Sequence, residues 1–306
     1  MRVLATCRLP GDAQERLGRE VDLVIGDGIP ADVTAADGII VLLTETVDAA
    51  LLSRAPRLRV VGNYAVGLNN IDVAEATRRG IAVVNTPDVL TEATADLTFA
   101  LLLAAARRLV EGDAIMRAGR FGGWRPDFML GRDVHGATLG LVGYGRIARA
   151  VERRAAGFGM RVIWTSRSGG IGLGELLAQS DFLSLHVPLT DKTRHMIGAP
   201  ELARMRPGSV LLNVSRGPVV DEAALARALR YGPLAAAGLD VYENEPAVHP
   251  DLVGLPNVVL APHIGSATIE ARSAMARLVC DGVAAVLRGE RPPNLVNPAA
   301  LDQRLA

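Results

Sequence analysis

The stretch Thr138-Leu139-Gly140-Leu141-Val142-Gly143-Tyr144-Gly145-Arg146-Ile147-Ala148 decides how the surrounding chain is interpreted. A short apolar run ends in a glycine turn, and a helical pattern follows. Gly143 permits a tight turn, Gly145 lets an anion approach the backbone, and Ala148 lets the helix pack close to the strand. This Gly-x-Gly-x-x-Ala pattern between a strand and a helix predicts a dinucleotide pyrophosphate at the helix N-terminus. The alternative is an ordinary strand–turn–helix.

Composition limits the possible classes of protein. The chain has 306 residues, enough for two domains of about 150. Its formal net charge is zero, which argues against electrostatic binding to nucleic acid or an acidic membrane. Cys7 and Cys280 have no ligand spacing, so we expect neither a disulfide framework nor a metal site. Residues 1–6 resemble a strand rather than a signal peptide, and the apolar run 97–106 is too short to span a bilayer. We therefore expect a cytoplasmic protein.

The first part of the chain, to about residue 95, alternates short apolar runs with helical patterns. The runs rich in Val, Ile and Leu are 3–6, 21–25, 38–43, 58–62 and 81–84. This alternation predicts a parallel sheet built from βαβ units. The pattern of residues 91–118 predicts one long helix or two short ones, with Thr91 as a candidate N-cap.

A second α/β unit begins at Thr138. Its six candidate strands are 139–142, 161–164, 182–185, 210–214, 236–239 and 258–260. Six strands alternating with helices predict a doubly wound sheet. A helical pattern returns over 266–287, so we predict a discontinuous substrate-binding domain of residues 1–95 plus 286–306. The dinucleotide-binding domain would be residues 96–285.

Ionisable residues follow three of the predicted strands in the second unit, where open α/β sheets bind ligands. They are Arg216, Glu245 and His263. A histidine can donate a proton near neutral pH, and a carboxylate at its far nitrogen favours the imidazolium. An arginine can hold a substrate carboxylate and polarise a carbonyl. The three together suit reduction of a 2-keto acid, although each alone could be an ordinary surface or loop residue.

The remaining histidines carry weaker signals. His186 ends a strand beside Pro188 and is a candidate for lining a cofactor site. His135, His195 and His249 lie among polar or turn residues, and we expect them to be solvated.

These segments together resemble the D-isomer-specific 2-hydroxyacid dehydrogenase family. The matching motifs occur in order at 143–148, 186–190, 213–217, 238–246 and 262–268. The resemblance implies two doubly wound parallel-sheet domains, one flavodoxin-like and substrate-binding, the other a Rossmann nucleotide-binding domain, with an interdomain cleft. It also implies Arg216 as the substrate-binding arginine, His263 as the acid/base and Glu245 as its partner.

Within the family, the chain is most similar to glyoxylate/hydroxypyruvate reductases, through segments 63–67, 85–91 and 93–97. These enzymes reduce glyoxylate to glycolate and hydroxypyruvate to D-glycerate. The resemblance implies that the backbone N–H groups of Val66 and Gly67 hold the substrate carboxylate. Without it, the loop 63–67 would be interpreted as a strand-ending turn. Asn69 stands where this subgroup often has Asp.

The cofactor preference is predicted from the end of the second strand of this unit, Trp164-Thr165-Ser166-Arg167-Ser168. No acid is present to bind a ribose 2′-OH, whereas an arginine and two hydroxyls suit a 2′-phosphate. We therefore predict NADP(H), with NAD(H) possible. The implied cofactor-binding residues are Tyr144, Gly145, Arg146, Ile147, Ser166, Arg167, Ser168, His186, Pro188, Val214, Ser215 and Asp240. The segment after Ser168 is shorter than the family pattern, as if a helix and a strand were trimmed.

The resemblance also implies a homodimer formed through the nucleotide domain, with the long connection 119–136 at its interface. Phe128, or else Trp124, would reach the partner's active site, unless both simply pack there. Two alternatives to the leading function remain. One is a related dehydrogenase of phosphoglycerate or phosphite, and the other is a non-catalytic dinucleotide-sensing binding protein, because fold alone does not fix function.

Overall fold

The computed structural model describes residues 1–302 and begins with a five-stranded parallel sheet. Its strands are β1 (Arg2–Ala5), β2 (Asp22–Ile25), β3 (Gly38–Val41), β4 (Val60–Asn63) and β5 (Ala82–Val84). The helices between them are α1 (Ala13–Leu17), α2 (Ala49–Arg54) and α3 (Val73–Arg78). The strand order is β2-β1-β3-β4-β5, which is the flavodoxin-like order.

Two helices lead from this sheet into a second sheet of seven strands. The helices of this part are α4 (Thr91–Ala106), α5 (Leu109–Arg117), α6 (Arg146–Gly157), α7 (Leu173–Gln179), α8 (Ala199–Arg204), α9 (Glu222–Tyr231) and α10 (Pro250–Val253). The strands are β6 (Thr138–Val142), β7 (Arg161–Ser166), β8 (Gly169–Gly170), β9 (Phe182–Leu185), β10 (Val210–Asn213), β11 (Ala236–Leu239) and β12 (Val258–Leu260). A short 3-10 turn covers Gly217–Val219.

The second sheet has the order β12-β11-β10-β9-β6-β7-β8. This is the Rossmann order, and the order reverses between β6 and β9, where such sheets bind ligands. All pairs are parallel except β7 with β8. The predicted α/β fold with two doubly wound sheets is confirmed.

The last helices of the described part are α11 (Ile269–Arg288) and α12 (Ala299–Asp302). Contacts divide the chain into two compact units, Thr91–Gly265 and Met1–Leu90 with the segment that begins at Ser266. The sequence instead predicts that the domain boundaries fall at 95/96 and 285/286. Residues 303–306, which the prediction places in the first domain, lie outside the described part. The difference arises because α11 joins the first unit, where Val279 and Val283 pack beside Val60.

Apolar side chains cover both faces of each sheet. In β3, Ile40 packs with α1 and α11, whereas Ile39 and Val41 pack with α2 and α3 on the opposite face. In β9, Phe182 packs with α4 and α6, whereas Leu183 packs with α7 and α9. Alternate residues therefore enter opposite cores, as the period of a strand requires. Among residues 1–302, no helix combines the length and apolarity that crossing a membrane would need.

Side-chain caps fix several helix starts. The carboxylates of Asp48, Asp72 and Asp221 accept N–H groups in the first turns of α2, α3 and α9, and the hydroxyl of Thr268 does so in α11. Such caps satisfy amides that have no partner within the helix. The helical structure is interrupted between α4 and α5 at Arg108, whose φ of 53° is left-handed. The segment 91–118 is therefore two helices.

The shortened segment after Ser168 is a tight hairpin. Strand β8 pairs antiparallel with the end of β7, Thr165 opposite Gly170 and Ser166 opposite Gly169. Gly169 and Gly170 have φ values of 148° and 94°, which favour glycine. A Cβ at Gly170 would lie 2.7 Å from the ring of Trp164, so a side chain there has no room. A two-residue turn thus stands where a βαβ crossover would connect parallel strands.

Candidate active site

Three neighbouring strands of the second unit end beside one another and carry the predicted trio. Strands β10, β11 and β12 are adjacent and parallel, so the segments that follow them lie at one edge of the sheet. Arg216 follows β10, Glu245 follows β11 and His263 follows β12. The topology therefore brings the three predicted residues to the same edge.

Glu245 and His263 form an imidazole–carboxylate pair. Nδ1 of His263 lies 2.8 Å from Oε2 of Glu245, and 27% and 25% of the two side chains are exposed. Oε1 of Glu245 accepts the N–H of Tyr242 at 3.0 Å. Burial opposes ionisation of Glu245, but the hydrogen bonds from His263 and Tyr242, with nearby positive charge, leave its pKa below the ordinary value. A charged Glu245 thus fixes one ring nitrogen and leaves Nε2 for proton transfer.

The turn that carries His263 is held by Asp240. This buried carboxylate, 1% exposed, accepts the N–H groups of Ile264 at 2.7 Å and Gly265 at 2.8 Å. Burial raises the pKa of Asp240, and the two hydrogen bonds oppose that rise. His263 has a φ of 54°, a left-handed conformation that is uncommon outside glycine. Asp240, predicted as a cofactor residue, therefore also orients the turn that carries the histidine.

Arg216 belongs to a turn organised by Asn213. Buried Asn213 donates from Nδ2 to the carbonyl of Arg216 at 3.0 Å and accepts the N–H and Oγ of Ser215 at 3.1 and 2.9 Å. Nη1 of Arg216 donates to the carbonyl of Ser215 at 2.6 Å. Burial lowers the pKa of Arg216, while the charge of Glu245 opposes this, and a guanidinium remains protonated near neutral pH. The structure thus places Glu245 within electrostatic range of both Arg216 and His263.

The turn of Arg216 touches the loop of Glu245. A Cβ at Gly217 would overlap the carbonyl group of Tyr242. Only the absence of a side chain at residue 217 allows the two segments to approach this closely. The positions of the guanidinium and the carboxylate are therefore linked through direct backbone contact.

A second imidazole–carboxylate pair, missed from the sequence, lies beside this loop. Nε2 of His195 contacts Oε1 of Glu243 in a short hydrogen bond. The N–H of Glu243 donates at 2.9 Å to Glu222, a side chain only 3% exposed. Burial raises the pKa of Glu222, with the hydrogen bond from Glu243 opposing the rise. The sequence predicts that His195 is solvated. Its partner Glu243 lies 48 residues further along the chain, so no local pattern indicates the pairing.

The glycine turn after β6 has the space that a pyrophosphate needs. Gly143 has a φ of 89°, and a Cβ there would lie 2.8 Å from the carbonyl carbon of His186. Gly145 is the extended N-cap of α6, and a Cβ there would meet no atom within 4 Å. Open space thus lies beside the first turn of α6, which begins with Arg146 and Ile147. The residues present fit a bound dinucleotide.

Two aromatic rings connect this turn with the β7–β8 hairpin. The ring of Tyr144 stacks on that of Trp164, with centroids 4.3 Å apart and planes 8° apart. The guanidinium of Arg149, a residue of α6, lies 5.2 Å from the centroid of the Tyr144 ring, and the Tyr144 hydroxyl bonds to Glu152. A Cβ at Gly169 would lie 3.4 Å from the indole of Trp164. The side chain of Tyr144 thus belongs to a packed layer that supports the hairpin.

The hairpin presents the residues predicted to meet a ribose phosphate. Oγ of Ser166 lies 3.0 Å from Oγ of Ser168 and accepts the N–H of Ser168 at 3.2 Å. Arg167 is exposed at the turn, and residues 161–170 contain no acid. Serine hydroxyls and a guanidinium are donors that suit a phosphate.

The other predicted cofactor residues follow β9 and β10. Nε2 of His186 lies 2.9 Å from Oγ of Ser184, and burial lowers the pKa of His186 to about 3. His186 is therefore neutral near pH 7. Pro188 is exposed, whereas Val214 and Ser215 are both 8% exposed. These residues follow β9, which flanks the sheet's switch point, and its neighbour β10.

In the first unit, the loop 63–67 follows β4 and has its carbonyl groups occupied. The carbonyl oxygens of Ala65, Val66 and Gly67 accept from Thr86 N–H, Asn85 Nδ2 and Asn63 Nδ2 at 3.0, 2.9 and 2.7 Å. Within residues 1–302, the N–H groups of Val66 and Gly67 donate to no acceptor. Unpaired backbone donors in a partly buried loop are a fitting site for an anion.

Apolar side chains are exposed on α5 and on the connection that follows it, and we call them the α5 patch. Its members are Leu109, Val110, Met116, Phe121, Trp124 and Leu130. Trp124 is 83% exposed. The ring centroids of Phe128 and Phe121 are 6.1 Å apart, and the guanidinium of Arg125 lies over the Phe128 ring. A cavity of about 300 Å³ adjoins the patch and is lined in part by Val110, Leu130 and Arg132.

Comparisons with known proteins agree with this geometry. A family model described as D-isomer specific 2-hydroxyacid dehydrogenase, NAD binding domain, matches residues 99–265. A glyoxylate reductase from Thermococcus litoralis is 52% identical over 284 residues, covering 88% of this chain and 86% of that protein.

Solved structures share the whole fold. A protein from Thermus thermophilus has a TM-score of 0.92 and 45% identity, covering 97% of this chain and 100% of that one. An NADPH-dependent glyoxylate/hydroxypyruvate reductase from Sinorhizobium meliloti, in complex with NADP and malonate, has a TM-score of 0.87 and 36% identity. That similarity covers 98% of this chain and 97% of the Sinorhizobium chain.

Proposed function

The chain belongs to the D-isomer specific 2-hydroxyacid dehydrogenase family, and on that premise we propose that it reduces glyoxylate to glycolate and hydroxypyruvate to D-glycerate with NADPH. It is an NAD(P)-dependent dehydrogenase and a reductase of small keto acids. The observation that carries the proposal is the 2.8 Å contact between Glu245 and His263 beside the turn of Arg216. A proton donor, its charged partner and a cation are what carbonyl reduction requires of a protein.

In the proposed mechanism, His263 supplies the proton. The nicotinamide, when bound, provides a hydride to the keto carbon. Nε2 of His263 donates a proton to the keto oxygen, while Nδ1 stays bonded to Glu245. The carboxylate of Glu245 holds the imidazole ring in place through Nδ1 before transfer, and solvent returns the proton afterwards. Keto acid, NADPH and one proton thus give hydroxy acid and NADP⁺.

Arg216 and the loop 63–67 orient the substrate in this proposal. The guanidinium of Arg216 attracts the carboxylate and polarises the keto group, because the negative charge that develops on oxygen is stabilised by a nearby cation. The N–H groups of Val66 and Gly67 hold the carboxylate by hydrogen bonds. The lack of acceptors for these two groups within residues 1–302 supports this assignment.

The preference for NADPH rests on the β7–β8 hairpin. Ser166, Arg167 and Ser168 would bind the 2′-phosphate, and no carboxylate in 161–170 would repel it. Tyr144, Gly145, Arg146 and Ile147 would bind the pyrophosphate side of the cofactor. His186, Pro188, Val214, Ser215 and Asp240 would line its nicotinamide half. The NADP complex of the Sinorhizobium relative supports this choice.

The function is tested by following NADPH absorbance with glyoxylate, hydroxypyruvate and pyruvate. We expect turnover of the first two, and a loss of about 100-fold or more in kcat for His263→Ala, because general acid catalysis is worth that much. His135→Ala is the matched control, since His135 is an exposed histidine away from this edge. Cofactor binding without turnover of any keto acid would instead indicate a dinucleotide-sensing protein. Equal kcat/KM with NADH and NADPH would contradict the cofactor assignment.

We also propose a homodimer whose interface covers the α5 patch. Six large apolar side chains exposed together exceed what single scattered residues would explain. A second copy of the chain is the proposed occupant, and Trp124, with 83% exposure, is the side chain most available to a partner.

A further inference from the structure

The direction of the two proposed substrate-binding N–H groups is set by the residues that hold the preceding carbonyls. In a planar trans peptide the C=O and N–H bonds point in opposite directions. The carbonyl of Ala65 shares a peptide with the N–H of Val66, and the carbonyl of Val66 shares one with the N–H of Gly67. Whatever fixes these carbonyls therefore aims the next N–H group away from itself.

Asn85 and Thr86 hold these two carbonyls. The N–H of Thr86 donates to the carbonyl of Ala65 at 3.0 Å, and Nδ2 of Asn85 donates to the carbonyl of Val66 at 2.9 Å. Both donors come from one segment, directly after β5. The N–H groups of Val66 and Gly67 consequently both point away from that segment.

We propose that Asn85 is a positioning residue for substrate, because its side-chain amide orients the peptide that carries the N–H of Gly67. This inference rests on the proposed function. It assigns a role to Asn85 and Thr86, which have none in the proposed reaction. The backbone of Asn85 is itself anchored. Its N–H donates to the carbonyl of Asn294 at 3.3 Å, and its carbonyl accepts Nδ2 of Asn294 at 2.7 Å.

The far end of the loop is fixed by a second amide. Asn63, which is 0% exposed, donates from Nδ2 to the carbonyl of Gly67 at 2.7 Å. Nδ2 of Asn70 donates to Oδ1 of Asn63 at 3.1 Å and to the carbonyls of Leu42 and Glu45 at 3.1 Å. The two anchors therefore hold both sides of Gly67, and the loop is ordered before any ligand binds.

Neutral amides suit this task better than carboxylates. An amide nitrogen donates to a carbonyl, whereas an aspartate in the same place would present a second acceptor and repel it. A negative charge there would also weaken the attraction of the loop for an anion. The ligand class that matches is a small planar carboxylate, which two backbone donors can hold together.

The test uses oxamate, an unreactive carboxylate of the same shape as a 2-keto acid, titrated into the enzyme with saturating NADPH by calorimetry. Three variants are compared: Asn85→Asp, Asn85→Ala and Asn257→Ala. Asn257 is the matched control, because its Nδ2 also donates to backbone carbonyls, those of Leu229 and Ala235, away from the site. The KM for glyoxylate is measured in parallel.

For Asn85→Asp we expect the Kd for oxamate and the KM for glyoxylate to rise about tenfold or more, as for loss of a hydrogen bond to a charged ligand. Asn85→Ala should show a smaller rise, because it removes the donor without adding an acceptor. The Kd for NADPH should stay within about twofold in both, and Asn257→Ala should leave the oxamate Kd unchanged.

Unchanged oxamate binding in both Asn85 variants would overturn the inference, as would a parallel weakening of NADPH binding, which would indicate a general loss of structure. If Asn85→Asp does not fold, Asn85→Ala decides alone. Failure of the proposed function is distinguishable: wild type would then bind oxamate but reduce neither glyoxylate nor hydroxypyruvate, whereas an oxamate Kd unchanged in both Asn85 variants overturns the inference alone.

Discussion

The indole of Trp164 stacks on the phenol ring of Tyr144, with ring centroids 4.3 Å apart. Tyr144 belongs to the glycine turn before α6, and Trp164 lies in β7 just before the Ser166–Ser168 turn. The contact therefore joins the two segments proposed to bind the pyrophosphate and the 2′-phosphate. Because Gly169 and Gly170 lie against Trp164, this stack supports the hairpin.

We expect Trp164→Leu to lower the free energy of unfolding by about 2 kcal/mol, since it removes a large packed ring and an aromatic pair. It should also weaken NADPH binding severalfold, because the turn loses its support, with little change in the KM for keto acid. Chemical denaturation and a fluorescence titration of NADPH measure the two effects. Trp164→Phe should restore most of both, and a loss of stability with unaltered NADPH affinity would separate the stack from cofactor binding.

Arg167 is the residue on which cofactor preference should depend. Arg167→Ala is expected to reduce kcat/KM with NADPH about tenfold or more, because a charged hydrogen bond to the 2′-phosphate is lost. Activity with NADH should change little. Ser166→Asp should then favour NADH, since a carboxylate at the end of β7 can accept from the ribose hydroxyl and repels the phosphate. Steady-state kinetics with both cofactors measures this, and an equal fall with each would count against the assignment.

Glu245→Gln should change the stability of the protein and the dependence of that stability on pH. The pKa of Glu245 is lower in the folded protein than its ordinary value, so its ionisation favours folding. That contribution is present above the pKa of the unfolded state and is lost as pH falls through the folded pKa. The difference in unfolding free energy between wild type and Glu245→Gln should therefore be larger at pH 7 than in acid.

The same variant should lower kcat with glyoxylate about tenfold or more, because the imidazole of the proton donor loses the carboxylate that holds its Nδ1. Glu243→Gln serves for comparison, since Glu243 contacts His195 rather than His263. An unchanged kcat in Glu245→Gln would contradict the proposed proton path.

The homodimer predicts how the chain should sediment. Wild type is expected at twice the chain mass, and Leu130→Asp at the chain mass, because a charge would be buried at the interface. Tyr231→Asp is the control, since Tyr231 is 86% exposed on α9 and outside the α5 patch. Analytical ultracentrifugation distinguishes the two states, and a monomeric wild type would contradict the assembly.

The fold could be predicted from sequence because its signals are local. Runs of Val, Ile and Leu between helical patterns indicate both sheets, and the family motifs at 143–148 and 262–268 lie on the elements expected of them. The end of each strand is also a local signal, so the approach of His263 to Glu245 followed from the order of parallel strands.

The features that sequence did not indicate depend on distant contacts. Strand β8 consists of two glycines and has no apolar period, and its position depends on Trp164. The apolar face of α11 predicts burial but not which sheet covers it, so the predicted second division, at 285/286, falls after this helix has begun rather than before it. The pairing of His195 with Glu243 joins segments that no local pattern connects.

Because residue 217 must be glycine, the ways in which this enzyme can evolve are limited. Any substitution there would push the Tyr242 carbonyl aside and displace both the guanidinium of Arg216 and the carboxylate of Glu245. Natural or laboratory variation that retunes Arg216 must therefore act through other neighbours, and a saturation library at residue 217 should return glycine alone among active clones.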